Sequence, residues 1–312
     1  MKRMVVILFS ILLLIMIGCQ STAEETENTQ EGSFSIIDFA ERTITFNKTP
    51  KNIVALGNGE TDIIYALGKE VVGRPTGDAI IPEAESALEV GSTHSIDLEK
   101  VTSLEPDVVL GNHPMNTKDI QAIENIGAEM VLTSANSVDD ILNQIRILSD
   151  LLDRKETAEE LINQINDKIT SIQSEISEQK KPRILLIYGA PGTNMAALPN
   201  SLSGNILELA GGENIASDYP SLEMYPQYAQ LNTERIIESN PQMILLMSHG
   251  DPETVKESFI KDMSSTAGWD ELDAVKNDHF IILPSDLFGT NPGTKVIEAL
   301  DYLHELLKDV KE

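Results

Sequence analysis

The spacing of apolar residues changes along the chain, and each change predicts a different kind of element. From residue 34 to residue 133, short apolar runs alternate with stretches whose apolar residues recur at threes and fours. The short runs predict strands and the wider spacing predicts helices. Their alternation favours a parallel α/β sheet. The predicted strands are 52–56, 70–73, 107–110 and 129–133, and two intervening helices are 61–67 and 118–126.

A long helical stretch follows. Residues 138 to 179 contain no Gly and no Pro, and the helical spacing continues throughout. Residues 155–179 alone would form a helix about 37 Å long at 1.5 Å per residue, which is enough to cross a domain. Lys180-Lys181-Pro182 ends it. A second alternating set then predicts strands at 183–188, 194–198, 242–247 and 279–283, and helices at 205–209, 232–238, 252–261 and 294–307.

These patterns predict an α/β fold with two Rossmann-like lobes joined by one long rigid helix, with a ligand cleft between the lobes. The predicted boundaries are 34–153 for the N-terminal lobe, 154–181 for the linking helix and 182–312 for the C-terminal lobe. Parallel sheets bind ligands beyond the carboxyl ends of their strands. We therefore expect the segments after the strands to line the cleft. An unbroken helix contains no hinge, so we also expect little lobe movement on binding.

The beginning of the chain predicts export. Lys2 and Arg3 precede an apolar run over residues 5–17, which is short for a membrane span of roughly 20 residues. The run predicts a signal peptide over residues 1–18. It resembles a lipoprotein signal, which implies lipidation of Cys19; a plain signal peptide or a transmembrane anchor is the alternative. Residues 19–33 are polar and acidic, and predict a lipidated flexible tether.

The charge narrows the choice of partners. The chain has a formal net charge of −27, and loss of Lys2 and Arg3 with the signal would make it −29. Such a surface repels nucleic acid and anionic lipid and suits basic partners. We therefore expect no nucleic-acid partner, and membrane contact through the lipid anchor only, on the extracytoplasmic face. An acidic surface also serves solubility alone. The single cysteine leaves no intramolecular disulfide to form.

The chain lacks the common motifs of an enzyme. It contains no HExxH sequence, no Walker loop and no nucleophile elbow. The glycine-rich segment 189–192 lacks the lysine of a phosphate loop and predicts a tight turn. We therefore expect no enzymatic activity. An extracytoplasmic metal-dependent enzyme that uses His94, His113 and nearby carboxylates is the alternative from another functional class.

Two of the five histidines follow predicted strand ends that could face the cleft, and a third, His94, lies just before a short predicted helix that starts near Ile96. His249 is placed most sharply, because a buried strand ends just before it. Asp251 and Pro252 then begin a helix as N-cap and first helical residue. His249 is thus either a ligand or a hydrogen-bonding loop residue. The other two are His94 and His113, whereas His279 is expected to be structural and His304 to be solvated.

Several segments resemble a known family. In the first half they are Gly-Lys-Glu-Val-Val-Gly at 68–73, Glu-Val-Gly at 89–91 and the segment 98–109. In the second half they are Ile-Leu-Glu-Leu-Ala-Gly-Gly-Glu-Asn-Ile at 206–215 and the segments 232–234 and 240–245. They resemble class III solute-binding proteins, the iron-siderophore, haem and cobalamin receptors of ABC importers. The resemblance covers residues 34–310.

Within that family, segments 189–192, 247–253 and 288–289 resemble Gram-positive haem-receptor lipoproteins of the Isd and haemin-uptake type. This resemblance implies iron acquisition with haem b as the transported ligand, and His249 as an axial ligand of the iron. The other ligand comes from the first lobe, where some members have Met and this chain has His94. A bis-histidine site is therefore expected, with His113 as the substitute. Two imidazoles favour ferric haem more than a Met/His pair does.

Haem needs an apolar slot for its faces and polar groups for its propionates. Arg74 is the candidate propionate partner, and a surface salt bridge is its alternative role. The candidates for the apolar slot, any of which can instead belong to the core, are Met195, Leu198, Leu202, Met247, Leu287 and Phe288.

The resemblance also implies partners. Receptors of this class present an acidic residue from each lobe to basic pockets of an ABC permease, which works with its ATPase. The matching positions here are Glu208 in the second lobe and Asp62 in the first, with Glu60 as the rival of Asp62. Both acids can instead be ordinary members of an acidic surface. Upstream haem-relay proteins are a further expected class of partner.

A ferric siderophore is the alternative ligand. Catecholate and carboxylate siderophores are usually held by several arginines, which favours a hydroxamate-type siderophore as the alternative for this chain. Only six arginines follow the predicted signal, and most lie outside the predicted cleft; they are Arg42, Arg74, Arg146, Arg154, Arg183 and Arg235.

Overall fold

The computed structural model describes residues 32–77, 79, 81–176, 180–190, 192–248 and 251–310. The predicted signal peptide and Cys19 lie outside these residues. The described part begins with an antiparallel hairpin of β1 (Phe34–Ile37) and β2 (Thr43–Phe46). Ile36, Ile44 and Phe46 are buried in the core. The sequence analysis did not predict this hairpin, because two four-residue strands give only a short alternating pattern.

The first sheet has five strands in the order β5-β4-β3-β6-β7, all of them parallel. This confirms the predicted parallel α/β lobe. The residues of β3 and nearly all of β6 and β7 are buried, as expected for a parallel sheet covered on both faces. The strands are β3 (Ile53–Ala55), β4 (Gly73–Arg74), β5 (Leu88–Glu89), β6 (Val108–Asn112) and β7 (Glu129–Thr133), and the helices between them are α1 (Asn58–Ala66), α2 (Leu98–Ser103) and α3 (Ile120–Asn125).

Two consecutive helices lead out of this sheet. The first, α4 (Val138–Leu152), is capped by the side chain of Ser137, and it ends where Asp153 adopts a left-handed conformation. The second, α5 (Lys155–Ile176), has 22 residues and is therefore about 33 Å long. Its fully buried positions are Ala158, Ile165 and Ile172, whose spacing of seven residues places them on one face. The predicted long helix is thus present over its described part.

The second sheet has the order β11-β9-β8-β12-β13, and β10 pairs with one end of β8. Strands β10, β12 and β13 run parallel to β8 or to each other, whereas β9 and β11 are antiparallel additions. The strands are β8 (Arg183–Ala190), β9 (Thr193–Ala197), β10 (Glu213–Asn214), β11 (Tyr228–Gln230), β12 (Met243–Ser248) and β13 (Phe280–Ile282).

The mixed sheet changes one expectation about the second lobe. Glycine-rich segment 189–192 was expected to follow a strand at its cleft end. Strand β8 instead continues through Ala190, and β9 returns beside it from Thr193 in an antiparallel hairpin. Gly192 has a φ of +77°, a conformation that suits glycine in such a turn. Gly189 and Ala190 thus belong to β8, Gly192 lies between β8 and β9, and the strand that contains Met195 runs in the opposite direction to its neighbour.

Helices cover both faces of the second sheet. One face packs against α8 and the aromatic pair Phe259 and Trp269. The other face joins a larger core that also contains α5, α4 and the apolar side chains of the first lobe. Among the described residues, no helix is both long and apolar enough to span a membrane. The helices are α6 (Leu202–Ala210), α7 (Thr233–Ser239), α8 (Pro252–Met263), α9 (Asp273–Lys276), α10 (Ser285–Phe288) and α11 (Val296–Lys308).

Candidate functional site

His94 lies in a tight turn between β5 and α2, and we call residues Ser92–Ser95 the His94 turn. The amide of Ser92 donates to the Ser95 carbonyl over 2.9 Å, and the amide of Ser95 donates back over 3.1 Å. The imidazole of His94 is exposed, and no group in the described part of the chain hydrogen-bonds to it. It borders a depression of about 270 Å³ that Lys118 and Asp119 also line. The side chain is therefore available to a ligand.

His113 follows directly after β6. Its amide donates to the Thr133 carbonyl over 2.7 Å, which fixes its main chain to the end of β7. The side chain is half-buried, and its Nδ1 is enclosed without a hydrogen-bond partner among the described residues. This imidazole is therefore not used by the fold.

His249 and Gly250 lie outside the described residues, so the structure gives no account of them. The elements on either side are as predicted. Strand β12 ends at Ser248, and helix α8 begins at Pro252 with Asp251 as its N-cap. The Asp251 carboxylate accepts a hydrogen bond of 2.8 Å from the Thr254 amide. This capping interaction lowers the pKa of Asp251. The end of the strand and the start of the helix are thus both fixed.

One face of the second sheet carries a row of polarisable side chains at the end of β8. Tyr188 is paired with Met195 on one side and with Met247 on the other. The ring of Tyr228 lies 5.3 Å from that of Tyr188, centroid to centroid. Burial raises the pKa of Tyr228 to about 12 and also raises that of Tyr188. Both phenols therefore keep their protons at neutral pH and remain hydrogen-bond donors.

The predicted apolar slot is only partly supported. Met195 is half-buried and belongs to the row beside Tyr188. Leu198, Met247 and Phe288 have relative exposures of only 4–5%, and they pack in hydrophobic cores. Phe288 contacts the ring of Tyr302 at 6.0 Å. These three residues are core residues, which is the alternative that the sequence left open.

Arg74 does not fit its predicted role. The side chain is buried, and its Nη1 donates to the carbonyls of Pro75 and Gly77 over 3.0 and 2.7 Å. Its Nη2 donates to the Glu89 carboxylate over 3.2 Å. Because the guanidinium group holds the turn after β4, the prediction of a propionate partner is wrong for this conformation. The two tyrosines were missed by the sequence analysis, since only the sheet register brings them together.

Asp62 is also not the exposed docking acid that was predicted. It is 6% exposed, and its carboxylate accepts hydrogen bonds from the Thr294 amide and, over 2.7 Å, from the Thr294 hydroxyl. Its rival Glu60 is 5% exposed and accepts a hydrogen bond from Thr133. Burial raises the pKa of both carboxyl groups. Neither can reach a partner protein from this position.

Asp62 instead joins the two lobes. Asn291, which follows α10, donates from its side-chain amide to Gln144 of α4 over 2.9 Å. We call Asp62, Gln144, Asn291 and Thr294 the interlobe joint. The chains approach closely here, because a Cβ atom on Gly59 would overlap the Asn291 side chain. The joint is therefore a tight polar contact between the first lobe and a segment of the second.

The remaining predicted residues divide clearly. Glu208 is half-buried on α6, and its docking role stays a prediction. His279 is structural as expected, since its Nδ1 lies 3.1 Å from the Gln242 carbonyl. His304 was expected to be solvated, which is wrong: it is 4% exposed and lies 3.1 Å from the Ala210 carbonyl and 3.2 Å from Glu175.

In the part of the chain that the structure describes, no cluster of three or more His, Cys, Asp or Glu residues could hold a metal ion. What the geometry offers is one exposed imidazole on a fixed turn in the first lobe, and a row of Met and Tyr side chains at the end of β8 in the second. An exposed imidazole can coordinate a metal centre, and Met and Tyr side chains can contact an apolar ligand.

Comparison with known proteins agrees with this description. Residues 53–287 match the family model described as periplasmic binding protein. The chain is 28% identical to the high-affinity heme uptake system protein IsdE of Staphylococcus aureus over 313 aligned positions, which cover 99% of each chain. The resemblance to haem receptors that the sequence suggested is confirmed at this level.

Solved structures give the same fold. An ABC transporter substrate-binding protein from Listeria monocytogenes has a TM-score of 0.72 and 30% identity, and the match covers 84% of this chain and all of that one. Staphylococcus aureus IsdE complexed with heme has a TM-score of 0.71 and 27% identity, covering 82% and 98%. Staphylococcus aureus SirA complexed with staphyloferrin B has a TM-score of 0.72 at 20% identity, covering 88% and 98%, and shares the fold alone.

Proposed function

This chain belongs to the periplasmic binding protein family, and we propose that it is an extracytoplasmic receptor that binds haem and delivers it to an ABC importer for iron acquisition. The observation that carries the proposal is the imidazole of His94, which is exposed, has no hydrogen-bond partner in the described part of the chain, and lies on a turn with a fixed main chain. The similarity to IsdE over the whole chain supports the choice of haem. Solute-binding relatives of this kind act outside the cytoplasmic membrane and are not enzymes.

We propose His94 and His249 as the two axial ligands of the haem iron. An axial imidazole has to present a free ring nitrogen, and His94 has no competing hydrogen bond among the described residues. His113 stays the proposed substitute, as a half-buried imidazole whose enclosed Nδ1 lacks a partner there. Two imidazoles give a low-spin, six-coordinate ferric haem.

The porphyrin contacts are proposed from the row at the end of β8. Met195 is the half-buried member that offers apolar surface, and Tyr188 and Tyr228 offer ring faces and protonated hydroxyls. A protonated phenol can donate to a propionate without the cost of burying a charge. We therefore propose these tyrosines, instead of Arg74, as the hydrogen-bond donors to the haem propionates.

The arginines weigh against a polyanionic siderophore as the ligand. Among the described residues, Arg42 pairs with Asp38, Arg74 with Glu89, Arg183 with Asp273 and Arg235 with Asp218. Four of the six arginines that follow the predicted signal are therefore already paired with carboxylates of the protein itself. A hydroxamate siderophore makes less use of arginine and remains the alternative that an experiment has to separate from haem.

We further propose that lipidation at Cys19 tethers the receptor to the outer face of the membrane, and that Glu208 of α6 contacts the permease of the uptake system. Glu208 is half-buried and lies on the helix that the family resemblance singled out. The coupled ATPase and upstream haem-relay proteins complete the proposed pathway.

A titration tests the ligand. Haemin, iron-free protoporphyrin and a ferric trihydroxamate are each added to the protein, and absorption and the fluorescence of Trp269, the only tryptophan, are followed. We expect saturable binding of one equivalent of haemin, and weaker binding of protoporphyrin because it lacks the axial bonds. Saturable binding of the trihydroxamate without stoichiometric haemin binding would contradict the proposal and favour the siderophore alternative.

A further inference from the structure

The main chain at the base of the His94 turn is fixed on both sides. Gly91 forms an antiparallel bridge with Ile96, and the amide of Asp97 donates to the Val90 carbonyl over 2.9 Å. Gly91 has a φ of +97°, and a Cβ atom there would overlap the Ser95 carbonyl oxygen. These contacts hold the two strands that enter and leave the turn. The Ser92–Ser95 hydrogen bonds, and the bond of 3.2 Å from the His94 amide to the Ser92 hydroxyl, close the turn on itself but do not tie its tip to the rest of the lobe.

A single buried side chain reaches the tip. Asn116 is completely buried, and its Nδ2 donates to the Thr93 carbonyl over 2.9 Å. The same Nδ2 donates to the Asp119 carboxylate over 2.9 Å, and Oδ1 accepts from the Asn112 amide over 2.9 Å. Both donors and the acceptor of this amide are therefore used. They connect the peptide bond just before His94 to the end of β6 and to the start of α3.

The packing around Asn116 leaves it little freedom. A Cβ atom on Gly111 would lie 3.0 Å from the Asn116 Oδ1 and 3.1 Å from its Cβ. The amide therefore lies against the bare main chain of β6. Movement of the Thr93 carbonyl would break a buried hydrogen bond, and a buried polar group without a partner is costly.

We propose that Asn116 is the residue that positions His94 for coordination of the haem iron. The inference rests on the proposed function and adds to it a residue that touches neither iron nor porphyrin. Ligand groups have to be held within about 0.5 Å of their productive position by the residues around them. Asn116 does this through the Thr93 carbonyl, which shares a peptide bond with the nitrogen of His94. Its Oδ1–Asn112 bond fixes the amide orientation, so that the donor side faces Thr93.

The second lobe offers a matched control. Asn214 is also buried, at 2% exposure, and its Nδ2 donates to the Ala197 carbonyl over 2.9 Å. Its Oδ1 accepts from the Ala216 amide over 3.0 Å. The same substitution there removes the same kind of bond to a main-chain carbonyl, but leaves the first lobe unchanged. Loss of stability alone should therefore be similar for the two positions.

The test exchanges two neighbouring groups. In the double variant Asn116→Asp/Asp119→Asn, the hydrogen bond between positions 116 and 119 is kept with donor and acceptor reversed, while the Thr93 carbonyl loses its donor. We expect haemin affinity to fall 10- to 100-fold, as is usual when an outer partner of a metal ligand is lost. We also expect a high-spin, five-coordinate fraction in the ferric spectrum. Added imidazole should restore the six-coordinate spectrum, because it replaces the misplaced ligand.

The outcomes separate this inference from the proposed function. Failure of the unaltered protein to bind haemin overturns the proposed function itself. Normal low-spin binding by the unaltered protein and by the double variant overturns only the role of Asn116. Equal spectral changes in Asn214→Asp would also overturn it, since they would reflect general destabilisation.

A second variant tests the proposal in case the double variant folds poorly. A Cβ atom at position 111 would overlap the flexible end of Met130 and lie 3.0 Å from the Asn116 Oδ1. Once the Met130 end moves aside, Gly111→Ala presses on Asn116 without changing its chemistry, and it should give a smaller loss of affinity with a high-spin fraction and rescue by imidazole. If the double variant Asn116→Asp/Asp119→Asn does not fold, an unchanged spectrum in a folded Gly111→Ala protein would count against the proposal.

Discussion

The interlobe joint and the His94 turn are both held by buried polar groups, but they use their side chains in opposite ways. In the joint, the side chains of Asp62 and Asn291 make the structural hydrogen bonds themselves, to Thr294 and Gln144 respectively. In the turn, Asn116 holds the main chain, and the imidazole of His94 is left exposed. A polar side chain that makes structural hydrogen bonds is not available to a ligand. A side chain whose main chain is held by other residues stays available.

The largest effect should come from breaking the joint. Asp62→Ala leaves the half-buried Thr294 amide and hydroxyl without their acceptor, and we expect the free energy of unfolding to fall by about 2 kcal/mol. Chemical denaturation measures this. The matched control is Asp301→Ala, which removes a half-exposed pair with Lys168 and should cost only about 0–1 kcal/mol. Equal losses in the two variants would show that the joint is not a structural contact.

A smaller effect should appear as a dependence on pH. Burial raises the pKa of Glu60 above its ordinary value of 4.5. The folded protein thus holds this proton more tightly than the unfolded chain, so the contribution of Glu60 to stability is complete below pH 4.5 and is lost as the pH rises through the folded-state pKa. Glu60→Gln removes that loss. The free energy of unfolding of the variant, relative to the unaltered protein, should therefore increase with pH across this window, and a constant difference would count against it.

The joint and α5 together predict a small change in shape. A 22-residue helix without a break contains no hinge, and the joint adds buried bonds between the lobes. The radius of gyration from X-ray scattering should therefore be the same, within error, with and without haemin. Asp62→Ala provides the comparison, because any haem-dependent compaction should be larger in that variant. A large decrease in the unaltered protein would mean that the lobes close by a hinge.

The smallest effect on the isolated protein should come from Glu208→Lys. Its side chain lies on α6, away from the His94 turn in sequence, so haemin affinity and spectrum should not change. Haem uptake by cells should fall strongly if the permease recognises this acid. Glu213→Lys, an exposed acid a few residues further on, is the control for charge alone. Normal uptake by the Glu208 variant would exclude this docking mode.

Much of the fold could be predicted from the sequence, because helix and strand periodicity is local. The positions of most strands along the chain, the long α5 and the N-cap at Asp251 all follow from neighbouring residues. The hydrogen-bond partner of a polar side chain could not be predicted in this way. Thr294 lies 232 positions from Asp62, and only the folded chain shows that Asp62 is used up by the joint.

Partners that are distant along the chain also explain the other differences between the sequence-based predictions and the structure. His304 is buried by partners 94 and 129 positions away, at Ala210 and Glu175. Asn116 lies 23 positions from Thr93, so nothing near it in the sequence marks it as a neighbour of His94. Conversely, the family resemblance singles out His94, and its role as a ligand stays a prediction.

The central claim is that one imidazole from each lobe coordinates the iron, and electron paramagnetic resonance of the ferric complex tests it most directly. We predict a low-spin signal from the unaltered protein and from His113→Ala, and its conversion to a high-spin signal in both His94→Ala and His249→Ala. Retention of the low-spin signal in both His94→Ala and His249→Ala would contradict the claim, and its loss in His113→Ala would transfer the first-lobe ligand to that residue.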